Sequence, residues 1–183
     1  AGHRGSFDAL SLEQFTKETG IDVTGISGKE IVAKHKNEWL AFRCRQNARW
    51  IKTWHAALKK VNPNLRTLLC SAPLEGPPGS RAHQNTNVAG KSCDPTLWDD
   101  DVDIHGPMIY RRGKPYFHAI KRNVEQLSKP LIPYSYIGYK WGYDDIAPSL
   151  LTLFALGAKG AVYYSEGEVL DGRLLNETAR VMD

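Results

Sequence analysis

Several features that would declare a function outright are missing from this sequence. No run of apolar residues approaches the roughly 20 that a membrane-crossing helix needs, and the opening Ala-Gly-His-Arg-Gly-Ser carries no apolar leader stretch. No membrane association is therefore expected. Only three cysteines occur, Cys44, Cys70 and Cys93, and their spacing fits no metal motif. The odd number leaves at least one thiol unpaired within the chain. Cys44, at a helical position, and Cys70, at a strand position, read as small buried hydrophobes. A phosphate ligand would need a glycine-rich turn entering a helix, and neither G-x-G-x-x-G nor a Walker loop is present. The absence of G-x-S-x-G argues against a serine hydrolase. His105 stands alone, as a residue that packs or faces a neighbouring helix, and the acidic run Asp99 to Asp103 reads as a solvated strand entrance. Neither a metal nor a cofactor is expected. Net charge is a mild +4. Its basic residues are scattered apart from pairs such as Lys59-Lys60 and Arg111-Arg112, which is not the stripe that nucleic acid requires. The sequon Asn176-Glu-Thr178 is a triplet too common by chance to define a compartment.

What is present is an alternation. Short β-rich runs at 66–73, 102–110, 131–139 and 158–165 are separated by helical patterns. That order predicts βαβ units and a parallel sheet, an α/β chain with alternating helices. At 183 residues, a single domain over 1–183 with a proper core is expected. Before the first strand, Ser11-Leu-Glu-Gln14 and Ser27-Gly-Lys-Glu30 fit capping boxes, and Gly20 fits a helix stop. A long amphipathic helix follows, with Trp39, Phe42, Trp50 and Trp54 at three- and four-residue steps, and Asn62-Pro63 ends it. Tryptophans at that spacing read as core. Leu74 to Cys93 is a polar loop rich in glycine and proline, of a length that usually carries function. Asp94-Pro95 reads as N-cap and first residue of a short helix through Trp98. Further helices begin at Pro115, Pro148 and Leu174. Pro107 and Pro133 fit poorly, because a proline inside a parallel strand removes a ladder N–H.

The loops are unequal. Helix-to-strand links are terse, as at Lys129-Pro130, whereas strand-to-helix links are longer and carry aromatics, charges and glycine. Ligands of parallel α/β folds bind outside the carboxyl ends of the strands. The candidate site is therefore Glu75 and its loop, Tyr110, Arg111, Tyr139, Lys140, Trp141, Tyr143, Asp144, Asp145, Glu166 and Glu168. Aromatic faces beside carboxylates suit sugars, and glycoside cleavage uses carboxyl groups as acid and as base or nucleophile. Glu166 is the candidate catalytic carboxylate, because it lies just past a strand and Gly167 permits a sharp turn. Its alternative role is an ion pair with Arg111 or Lys140. Tyr110, Arg111, Tyr139, Trp141, Asp144 and Asp145 are the candidate substrate-binding residues, and Glu168 reads as a solvated loop charge.

The strand Val-Asp-Ile-His-Gly-Pro-Met-Ile-Tyr110 resembles the sixth strand of chitinase-like and related glycoside-hydrolase TIM barrels. The following order, a Lys-Pro strand ending in aromatics and then Gly-Ala-Val-Tyr-Tyr-Ser-Glu166, is similar to strands seven and eight of those barrels. The resemblance spans about residues 35–170 and implies the C-terminal part of a (β/α)8 barrel acting on a carbohydrate. A complete barrel takes about 250 residues, so this chain is either part of a larger enzyme or a compact open sheet. As a part it would associate with itself or with a missing N-terminal half. Two other readings stay open: a non-catalytic carbohydrate-binding or structural module, and a flavodoxin-like open-sheet protein.

Overall fold

A computed structural model describes residues 7–76, 80, 91–111, 113–136 and 146–164. Three helices come first. Helix α1 (Ala9–Thr19) is capped by Asp8, whose carboxylate accepts from the Ser11 N–H and hydroxyl, each at 2.9 Å. The cap thus lies three residues before the Ser11 expected from sequence. Asp and Ser are both good caps, and the earlier one wins because the helix starts sooner. Gly20 ends α1 in the left-handed region (φ 73°), as expected. Helix α2 (Gly28–Lys34) has the predicted capping box: Glu30 N–H donates to Ser27 Oγ at 3.3 Å, and Ser27 N–H to Glu30 Oε2 at 3.0 Å. Helix α3 (Lys36–Val61) ends at Asn62, where Pro63 stops it.

The helices α1 to α3 enclose their own core of Phe15, Val23, Ile31, Trp39 and Phe42. Further along α3 the expectation of buried tryptophans fails. Trp50 and Trp54 are 64 % and 37 % exposed, with their rings stacked on each other at 6.2 Å. Instead Ile51 turns inward to meet Trp98 and Val102.

Four short strands follow: β1 (Leu68–Ser71), β2 (Ile104–Pro107), β3 (Tyr134–Tyr136) and β4 (Val162–Tyr164). Between β1 and β2 lies a 3-10 helix (Pro95–Asp101) capped by Asp94, as its Asp-Pro start predicts. Helix α4 (Lys114–Gln126) joins β2 to β3, and α5 (Ile146–Ala155) precedes β4. The predicted final helix from Leu174 lies outside the described residues. β1 pairs with β2 and β3 with β4, both parallel. The central core, Leu74, Ile109, Tyr116, Ile120, Leu131 and Leu153 among others, packs α4 and α5 against these strands.

The part-barrel α/β expectation is corrected here. Helix makes up about 56 % of the described residues, and the described strands form two separate two-stranded sheets that close no barrel. Each strand is also shorter than its β-rich run. Proline chemistry explains the interruption. β2 meets the chain leading into β3 only at isolated parallel bridges, His105 with Leu131 and Met108 with Tyr134. In that register Pro107 stands opposite Pro133. Ile132 N–H reaches the His105 carbonyl at 2.8 Å, and Ile109 N–H reaches the Tyr134 carbonyl at 2.8 Å. The rung between them needs an N–H from residue 107, which proline does not have.

Gly106 shows how closely the strands sit. A Cβ there would lie 2.7 Å from Leu68 Cδ2 and 2.7 Å from Tyr134 Cε2. Gly106→Val is expected to cost about 1–3 kcal/mol through forced overpacking, read as a lowered urea midpoint. An unchanged midpoint would mean that both side chains swing aside freely.

Polar groups close the amino ends of the strands. His105, buried on β2, bonds through Nε2 to Asp99 Oδ1 at 2.7 Å and lies against the Trp98 ring at 5.2 Å. Burial pushes the His105 pKa down, against the pull of Asp99. Asp99 also accepts from the Ser128 N–H at 2.8 Å. The expectation that His105 packs against a neighbour holds. The solvated reading of the acidic run is corrected for Asp99 and Asp103, each of which accepts hydrogen bonds from neighbouring elements. Cys44 is buried as expected, but Cys70 on β1 is exposed.

Candidate functional site

The carboxyl ends of β1 and β2 bring Glu75 and Arg111 together. Beyond β1 the chain runs through Ala72-Pro73-Leu74 into Glu75, and all of these residues are buried. Helix α4 holds this segment by side chains reaching back to its backbone. Asn123 Oδ1 accepts from the Leu74 N–H at 3.1 Å, and its Nδ2 donates to the carbonyls of Leu74 at 3.4 Å and Ala119 at 2.8 Å. Arg122 Nη1 donates to the Glu75 carbonyl. The Leu74 N–H and the carbonyls of residues 74 and 75, which no strand pairs, thus find partners on α4, as buried polar groups require.

Glu75 is only 7 % exposed. Arg111, two residues past the Ile109 that bonds to Tyr134, donates through Nη2 to Glu75 Oε1 at 2.6 Å. The geometry is that of a short, charge-assisted hydrogen bond. The Arg111 side chain is itself 42 % exposed, so the pair has one face in the protein and one toward solvent. Tyr110 is half-buried beside Arg111 in sequence. Beneath this end of the sheets, Tyr116 on α4 shares a 2.9 Å hydrogen bond with Ser135 on β3. Burial pushes the Tyr116 hydroxyl up to about 12, against the lowering effect of Ser135. Burial, and then the neighbouring Tyr116, likewise raise the pKa of Tyr163 on β4. Both tyrosines are therefore neutral at physiological pH, and they serve as core rather than as acids or bases.

Of the residues expected from sequence, Tyr110 and Arg111 stand at a strand end, and Glu75 joins them. Tyr139, Trp141, Asp144, Asp145 and Glu166, together with Lys140, Tyr143 and Glu168, lie outside the described residues. Arg122 and Asn123 were not anticipated. Asn123 was detectable in principle, because it falls among Tyr116, Ala119, Ile120 and Leu127 on the buried face of α4. A polar residue on such a face must have a buried partner.

Elsewhere, a groove of about 690 Å³ is built from α1 and the turn at 23–26, with Leu12, Val23 and Ile26 in its lining. It takes no residue from the strand ends, and Glu13 is its single carboxylate. Among the described residues no group of histidine, cysteine or carboxylate side chains is arranged to hold a metal ion, and no helix is long and apolar enough to cross a membrane. Comparison with protein-family models, curated proteins and solved structures finds no match.

Proposed function

We propose that this chain binds carbohydrate at the carboxyl ends of its parallel strands, with Glu75 and Arg111 at the centre and Tyr110 beside them. The observation that carries the reading is the Glu75–Arg111 pair itself: a buried carboxylate, on a backbone whose carbonyl Arg122 of α4 holds, joined to a half-exposed guanidinium. Vicinal sugar hydroxyls donate to carboxylates and accept from guanidinium forks, and an aromatic ring offers a face to the sugar C–H groups. Rigid support from α4 lowers the ordering cost of binding. Trp141, Tyr139, Asp144 and Asp145 are proposed to extend the same surface.

Hydrolysis is the stronger form of the proposal, and it needs two carboxyl groups about 5–9 Å apart. Glu75 is one candidate, and Glu166, just beyond β4 in sequence, is the other. Glu166→Gln is then expected to abolish cleavage while leaving sugar binding in place.

Binding is tested first, by calorimetric titration with a panel of plain, amino and acidic oligosaccharides. Arg111→Ala is expected to weaken binding of the best ligand by about tenfold or more, as loss of a charged hydrogen-bond donor does. Arg111→Lys, which keeps the charge but not the fork, falls between. Thermal melts of both variants separate loss of the site from loss of the fold. Absence of binding to every sugar at millimolar concentration, or identical affinities in folded wild type and Arg111→Ala, would overturn the reading.

A further inference from the structure

A second chemically distinctive place lies where α3 meets the chain entering the 3-10 helix. Cys44, Ala48 and Ile51 recur at four- and three-residue steps, so they share one face of α3. Ile51 and Ala48 on that face pack in one cluster with Trp98, Val102, Leu69 and Cys93. Asn47, on the turn between Cys44 and Ile51, donates from Nδ2 to the Ser92 carbonyl at 2.5 Å. That hydrogen bond fixes the residue before Cys93 against the turn after Cys44. Cys93 in turn accepts from the Ala72 N–H at the end of β1. Cys44 thus lies one turn from Ala48, which packs in the cluster that holds Cys93. Neither cysteine is in a disulfide, and the candidate sugar site uses neither.

We propose that Cys44 and Cys93 form a redox-responsive pair that a small-molecule disulfide oxidant closes into a cross-link between α3 and the 3-10 helix segment. Cys93, partly exposed, reacts first, because Cys44 is buried. The Cys93 thiolate attacks one sulfur of the oxidant, forming a mixed disulfide and releasing one small thiolate, which takes up the proton that Cys93 lost. The Cys44 thiolate then attacks the Cys93 sulfur and displaces the second small thiolate, which is protonated in the same way. Two protein thiols thus become one disulfide, and the oxidant leaves as two thiols.

The surroundings set the rate. Burial pushes the Cys44 thiol up to about 12 and the Cys93 thiol up to about 11, where Asp94 adds to the rise and the Ala72 N–H opposes it. Little thiolate exists at neutral pH, so closure is slow and accelerates about tenfold per pH unit between pH 7 and 9. The same environment gives the reduced pair no thiolate stabilisation, so the closed form resists reduction, unlike the strongly oxidising low-pKa dithiols.

The test uses the full chain carrying Cys70→Ser, which removes the exposed thiol and its intermolecular chemistry. The protein is incubated with oxidised glutathione at pH 8, then alkylated under denaturing conditions and analysed by intact mass and non-reducing peptide mapping. The expected product is lighter by about 2 Da, takes up no alkyl group, and yields a peptide joining positions 44 and 93. Its melting temperature rises by about 5–10 °C over the reduced form. Adding Cys44→Ser stops the reaction at the Cys93–glutathione adduct. Two alkylated thiols, or separate glutathione adducts with no cross-link, would each overturn the proposal.

Discussion

Trp39→Ala is expected to lower the free energy of unfolding by about 3–5 kcal/mol, the range for deleting a buried large aromatic side chain. Trp39 is fully buried among three aromatic rings: Phe7 stacks on it at 4.7 Å, Phe15 meets it edge-on at 5.1 Å, and Phe42 lies tilted at 5.4 Å. Each of these rings would face the hole left behind. The cluster holds α1 and α2 against α3, so the three helices lose their common anchor together. Natural domains have only about 5–15 kcal/mol in total. Urea denaturation followed by far-ultraviolet circular dichroism measures the effect. Trp50→Ala, at an exposed position of the same helix, should stay within about 1 kcal/mol of wild type. Equal losses at the two tryptophans would contradict the packing described.

Asp103→Asn carries the second large effect, expected at about 2–4 kcal/mol near neutral pH. Asp103 Oδ2 accepts from the Thr67 N–H at 2.7 Å and from the Thr67 hydroxyl at 3.1 Å, and Lys59 Nζ donates to Oδ1 at 2.9 Å. One carboxylate thereby links α3, the start of β1 and the start of β2. Burial raises its pKa, but the hydrogen bonds from Lys59 and Thr67 and the Lys59 charge prevail and bring it to about 2, from an ordinary 3.8. A carboxylate whose folded pKa is depressed stabilises the fold above its unfolded pKa. That stabilisation is lost as pH falls from about 4 through about 2. With a side chain 25 % exposed, solvent screening reduces the pH-linked share to about 1–2 kcal/mol. The gap between wild type and Asp103→Asn should therefore narrow in urea titrations below pH 4. A gap constant from pH 7 to pH 2.5 would show that the ionised form of Asp103 is not what stabilises the joint.

Local chemistry was legible wherever it acts over a few residues. The Ser27-to-Glu30 capping box, the Gly20 stop, the Asp94-Pro95 helix start and the end of α3 at Asn62 depend on neighbours in sequence. The strand positions and their parallel pairing were legible in the same way, from β-rich runs alternating with helices. Pro107 and Pro133 were visible as misfits, but their meaning depends on register. Only when the β2 and β3 segments are aligned does the missing Pro107 N–H fall on a rung between them and interrupt the pairing. The Glu75–Arg111 pair joins residues 36 apart, and no local pattern specifies that contact.

The tryptophans of α3 mark the boundary most sharply. Trp39 and Trp50 are 11 positions apart, which at about 100° per residue returns to within about 20° of the same direction around the helix. Sequence therefore determined that both belong to one stripe. It did not determine burial, because a stripe is buried only along the length where another element lies against it. α1 and α2 cover the first turns of α3 and enclose Trp39, while the later turns meet the 3-10 helix through Ile51 and leave Trp50 exposed. Helical geometry fixes the direction in which a side chain points, and tertiary packing alone decides whether anything is there to meet it.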